Sequence, residues 1–255
     1  MESAEIIEIV APPLVIGFIV AAVHAPLGIE VLLRGIVFID LAIAQIVGLG
    51  ILSVNMLWEE PSWLLRQSAI FVVAVIAALF FRLVEKRMTR EQEAVIGSCF
   101  IVAASGALIA VANDPHGGEE LQHILSGQIL FVTWSDILAF LPIYLAAAVA
   151  WLSLPALRRG VGFFLIFALA VTASVQLVGV YVVFASLILP ALAANSRETG
   201  KLGPALTCGG AAVLAGILAS TLLDLPAGPV LVVCYAVATV LIRLSPWTRQ
   251  RAGYS

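Results

Sequence analysis

Apolar runs of near-constant length, separated by short polar stretches, set the pattern of this chain. Runs near 20 residues long predict membrane-spanning helices, since a helix crossing a bilayer core must satisfy its own backbone and be about 20 residues long. The pattern predicts spans at about 10–28, 36–57, 68–84, 94–112, 136–155, 161–178, 180–195, 203–222 and 228–244. Residues 160 to 196 carry no charge. That stretch is too long for one crossing and short for two, so Gly179 is the expected break, and the proline of "ILP" at 188–190 is expected to kink or stop a helix. The expected fold is all-α: a polytopic membrane protein of about nine transmembrane or re-entrant helices, in a single transmembrane domain over residues 1–255.

Composition sharpens this picture. The chain is 62% hydrophobic and 11% charged, against about a quarter charged in soluble domains, so there is too little polar surface to cover a water-soluble globule. Lys and Arg accumulate on the cytoplasmic side of membranes. With the N-terminus outside, Arg34, Arg82, Lys86, Arg87, Arg90, Arg158, Arg159, Arg197, Lys201, Arg243, Arg249 and Arg251 fall inside, and only Arg66 falls outside. This predicts a multi-pass protein of a bacterial inner membrane, N-terminus out and C-terminus in. The outer segments are acidic, with Glu2, Glu5, Glu8, Glu59, Glu60, Asp114, Glu119, Glu120 and Asp224. Acidic loops attract cations, although they also simply mirror the basic inner face. The first residues lack the basic start of a cleavable signal. No CxxC pair links Cys99, Cys208 and Cys234. No soluble domain is evident, and "ETGKLG" at 198–203 lacks the glycine and hydroxyl of a phosphate-binding loop. Nucleic-acid partners and resident cofactors are not expected. Nor is enzymatic activity, because no HExxH, GxSxG or paired intramembrane acid is present.

The candidate chemistry starts at Asp40, in "GIVFIDLAIAQIVGLG". A carboxylate at bilayer depth costs about 2.5–3.5 kcal/mol on insertion scales, so it is expected to face a polar pathway or a partner. The span boundaries put Asp40 about five residues into its helix. Pairing with Arg34, or capping a broken helix, is the structural alternative. Gln45 lies about 140° around the helix from Asp40 and does not share its face. Upstream, "HAPLGIEVLLR" is expected to bend at Pro26 and Gly28 as an inner turn. Glu30 and Arg34 have i, i+4 spacing for an ion pair. His24 reads first as a packing or hydrogen-bonding residue. The outer "DPHGGEELQH" is the richest cluster: on a helix, His116, Glu119, Glu120 and His123 share one face, and imidazole with carboxylate suits zinc or manganese. Glu119 and His123 are the strongest pair. Helix capping by Asp114 and Pro115, with the acids favouring a helix N-terminus, accounts for the acids but not for both histidines.

Five segments, in order, resemble the ABC-3 family, the integral-membrane permease subunits of zinc and manganese ABC importers: "PLGIEVLLRGIVFIDLAIAQ", "REQEAVIGSCFIVAASGALI", "LSGQILFVTWSDIL", "VQLVGVYVVFASLILPALAA" and "LDLPAGPVLVV". The resemblance implies a BtuC-like permease fold, a homodimer or paired permease, a cytoplasmic ABC ATPase on a separate chain, and an extracytoplasmic metal-binding protein. It implies that Asp40 lines the path of a transported divalent metal, zinc or manganese. In that family a His follows the Asp four residues later; here Ala44 stands at that spacing, with Gln45 beside it. The cytoplasmic segment that usually docks the ATPase is reduced to "LPALRRGVG" (154–162), so coupling is also sought in "RLVEKRMTREQE" (82–93). An ATP-independent metal transporter, or a non-pumping membrane sensor or scaffold of the same fold, is the alternative.

Overall fold

A computed structural model describes residues 3–58, 61–112, 114, 117–197 and 199–245, without the side chains of residues 3–9 and Glu120. Among the described residues ten α-helices follow one another: α1 (Ser3–Arg34), α2 (Ile39–Leu57), α3 (Trp63–Arg87), α4 (Gln92–Ala110), α5 (Gly117–Ser126), α6 (Trp134–Ser153), α7 (Gly160–Val178), α8 (Val180–Ala194), α9 (Leu202–Leu223) and α10 (Ala227–Leu244). Eight of them are long and apolar enough to cross a membrane, and α8 is a shorter apolar helix. Every predicted span therefore coincides with a helix, and α8 is the shorter partner anticipated next to Gly179. Among the described residues there is no strand.

Two expectations are corrected. No inner turn interrupts the chain at Pro26 and Gly28: α1 continues through both to Arg34 and is longer than the 10–28 span. Gly28 serves close packing instead, since a Cβ there would meet the Leu187 backbone of α8. Likewise α8 runs through Pro190 to Ala194 rather than kinking to a stop. The polar segment before α6 contains α5, the helix on which the His/Glu spacing is read, and a 3₁₀ turn over Ile129–Phe131.

The helices sort into two compact units. The first comprises residues 1–35, 126–140 and 177–255; the second comprises 36–125 and 141–176. In the first unit, α1, α8, α9 and α10 pack on one another. Small residues let these backbones approach, as in other membrane helix pairs. A Cβ on Gly17 would strike Val213, and one on Gly216 would strike Leu231. Ala25, Ala194 and Ala205 form a buried cluster with Ile29 against it. A polar staple is buried in the same unit, where His24 Nδ1 lies 2.7 Å from Ser186 Oγ and both residues are fully buried. The Ser186 hydroxyl is also within donating distance of the Val183 carbonyl, 2.9 Å away.

The α7–α8 break belongs to this unit and is set by glycine. Gly179 has φ 81° and ψ 164°, a conformation accessible essentially to glycine alone. Gly127, at φ 70°, lies directly against it: a Cβ on Gly127 would meet the Val178 carbonyl, and one on Gly179 would meet the Gly127 backbone and the Ser126 carbonyl carbon. Gly228, in the first turn of α10, approaches the Ser126 carbonyl in the same way. Three chain segments thus cross at backbone contact.

In the second unit α2 packs on α3 and α4. Leu52, Ala107 and Val111 form a buried cluster, with Leu49, Leu121 and Ile124 against it. Two interhelical polar contacts anchor α7. Gln176 exchanges amide hydrogen bonds with Gln67 of α3 at 2.9 and 3.2 Å, and Ser174 bonds Tyr144 of α6 at 2.9 Å. Such contacts satisfy side chains that would otherwise be orphaned in hydrocarbon.

Candidate functional site

The site is built from the end of the second unit where α2 and α4 both begin. Gly35, at φ 67°, ends α1, with its amide bonded to the Leu32 carbonyl at 3.3 Å. The chain then turns: Ile39 donates to the Ile36 carbonyl and Ala42 to the Phe38 carbonyl, each at 3.1 Å. Phe38 is the N-cap residue and offers no side-chain cap, so α2 starts without one. The Val37 amide, one of the donors at this turn, is taken by a side chain from another helix, Glu93 Oε1 of α4 at 2.9 Å. This bond pins the start of α4 to the approach to α2.

Asp40 is therefore the second residue of α2, in its first turn, and not five residues deep. It is 1% exposed, and among the described residues neither carboxylate oxygen has a side-chain partner; only the amides of its own turn, at Asp40 and Leu41, face it. The Arg34 guanidinium bonds Glu30 Oε1 at 2.8 Å, the i, i+4 pair expected from the sequence. A helix N-terminus typically offsets about 0.3–1 kcal/mol of a carboxylate's charge and at most about 2, whereas burying an unpaired ion costs several kcal/mol. The helix end covers only part of that cost, so Asp40 has to be matched by a proton, a cation or water. The same end of the unit holds two further buried acceptors without partners, Glu93 Oε2 and Gln92 Oε1.

Gln45 is buried further along α2, and Ala44, at the family's histidine spacing, is 1% exposed. His24 lies in the first unit in the contact with Ser186. On α5, Glu119 and His123 are both exposed and one helical turn apart. His116 and the Glu120 side chain lie outside the described residues. Among the described residues no three His, Cys, Asp or Glu side chains come together. A groove of about 560 Å³ between α2 and α4 is lined mainly by the apolar Ile46, Leu49, Ala94, Val95 and Val102, with Glu91, Ser98 and Cys99 as its polar members. Glu93, Gln92, Gln67 and Gln176 are the residues the sequence reading passed over. The two acid and amide residues at 92–93 were hidden in the charged stretch 82–93. The two glutamines stood out only as Asp40 does, as polar residues inside apolar runs.

The expected inner segments are mostly helix ends. α3 reaches Arg87 and α4 starts at Gln92, so little of 82–93 is loop. Within it Arg82 pairs with Glu85. In 154–162 a 3₁₀ turn over Pro155–Arg158 is held by Arg158, which donates to the Trp151 carbonyl at 2.7 Å and lies over the Trp151 ring, 5.5 Å from its centre.

Eight helices of membrane length, one of them opening on a buried carboxylate, define an all-helical polytopic membrane protein. The chain belongs to the ABC 3 transport family, whose model matches residues 6–159 and 146–245. No curated protein matches it by sequence. Among solved structures it is similar to a chain of PsaBC from Streptococcus pneumoniae in complex with Fab, at 19% identity, with a TM-score of 0.73 over 94% of this chain and 93% of that one. That likeness concerns the fold.

Proposed function

We propose that this chain is the membrane-spanning permease subunit of an ABC-type divalent metal importer, carrying zinc or manganese. The observation that carries the reading is Asp40, a buried carboxylate without a side-chain partner, in a chain of the ABC 3 transport family. Transport of a cation supplies the positive charge that the fold itself does not. ATP is hydrolysed on a separate cytoplasmic ATPase, whose cycle shifts the permease between inward- and outward-open states. An extracytoplasmic metal-binding protein delivers the ion, and two copies of the permease pair in the bacterial inner membrane, N-terminus out and C-terminus in. The exposed Glu119 and His123 on α5, with His116 and Glu120, stand where metal first arrives.

The mechanism follows from electrostatics. An acceptor-only site in a low-dielectric surround attracts a cation strongly. Release then requires a conformational change that hydrates the carboxylate or separates it from its neighbours. The test is zinc and manganese uptake into cells expressing the chain with its ATPase, comparing wild type with Asp40→Asn. Uptake by wild type and its loss in the variant support the reading. Uptake without any ATPase would point to an ATP-independent transporter, and no uptake by wild type would refute the proposal.

A further inference from the structure

We infer that Glu93 is the second carboxylate of the cation site at the shared start of α2 and α4, and that this site takes a hard divalent cation. The inference rests on the metal-permease reading and names a ligand of the same site. Glu93 Oε1 accepts from the Val37 amide at 2.9 Å. Val37 and Asp40 are three residues apart across the tight turn that the Ile39 amide closes on the Ile36 carbonyl. The Val37 bond thus brings the Glu93 carboxylate to the turn that opens directly into Asp40. Its other oxygen, Oε2, is buried and has no partner.

Six buried side-chain atoms lack partners among the described residues: both Asp40 oxygens, Glu93 Oε2, Gln92 Oε1, Arg66 Nε and Thr172 Oγ1. The four from residues 40, 92 and 93 are all acceptors and all lie in the first turns of α2 and α4. A fold that gathers acceptors and leaves them without donors suits a ligand that brings only positive charge. The donors are all oxygen, the set preferred by manganese-like hard cations; imidazole, better suited to zinc, is absent where Ala44 stands. Two carboxylates and an amide form a small set, which fits an ion that must leave again on each cycle.

Equilibrium binding of radioactive Mn²⁺ to the purified full-length chain with its ATPase tests this, using Glu93→Gln. A glutamine oxygen still accepts from the Val37 amide, so the α2–α4 contact is kept and only the charge is removed. The expected result is an affinity at least about ten-fold weaker, with uptake falling in parallel. Wild-type affinity in Glu93→Gln would overturn the inference and reduce Glu93 to a positioning residue. If Asp40→Asn alone then lost binding, the permease reading would still stand. Should wild type take up neither metal, both would fall. A second measurement needs no variant: carbodiimide labelling of Glu93 in the native chain, read by mass spectrometry. Protection by Mn²⁺ is expected, and equal labelling with and without Mn²⁺ overturns the inference.

Discussion

Replacing Gly179 by alanine tests the backbone crossing that separates α7 from α8. Two costs add. The first is conformational, because φ 81° with ψ 164° is a region essentially closed to residues with a Cβ, at about 1–3 kcal/mol. The second is steric. The new methyl would lie 2.6 Å from Gly127 Cα and 2.7 Å from the Ser126 carbonyl carbon, backbone atoms that cannot swing aside. Overpacking of this kind costs about 1–3 kcal/mol. The sum, roughly 2–6 kcal/mol, corresponds at its centre to a fall of about 8–16 °C in melting temperature at about 2–4 °C per kcal/mol. The control is Gly200→Ala, which has φ 68° but nothing within 4 Å of the added Cβ. It isolates the conformational cost and should lower the melting temperature by only a few degrees, about 1–2 kcal/mol. Gly127→Ala should match Gly179→Ala, since its Cβ would fall on the Val178 carbonyl. The double variant should cost less than the sum, because both methyls relieve themselves by opening the same contact. Thermal unfolding of detergent-purified protein, followed by fluorescence-detected size exclusion, reads all four. If Gly179→Ala melts with Gly200→Ala, the crossing is not a backbone contact and the reasoning fails.

Two further outcomes follow from the polar contacts and the end of α9. Gln67→Leu should destabilise by about 1–2 kcal/mol, because it leaves Gln176 Oε1 without its donor. Gln67→Leu with Gln176→Leu should recover most of that loss, giving a coupling energy of about 0.6–1.7 kcal/mol in a thermal-shift cycle; strict additivity would show that the pair does not interact. Asp224, at φ 53°, follows α9 in the left-handed region, so Asp224→Gly should raise the melting temperature by a few degrees, about 0.5–1 kcal/mol. A decrease would mean that the Asp224 side chain makes a stabilising contact.

The spans were legible in the sequence because bilayer insertion is a one-dimensional problem: each crossing must be apolar over a fixed length and satisfy its own backbone. The break at Gly179 and the Glu30–Arg34 pair were legible for the same reason, being matters of neighbours along the chain. Pro26, Gly28 and Pro190 misled, because their effect depends on what lies across from them. Gly28 looks like a helix breaker in isolation and proves to be the space that lets the α8 backbone approach α1. Asp40 was visible as a charge in an apolar run. Its depth, its lack of a side-chain partner and the arrival of Glu93 from a helix 50 residues later could be read only once α2 and α4 were packed together. The division into two interleaved units was hidden for a related reason: hydropathy records that a helix is buried in something apolar, not which helix buries it. Local chemistry along the chain determined that this protein spans a membrane. Tertiary packing decided which buried polar groups find partners, because whether a buried charge is paired depends on contacts between residues far apart in sequence.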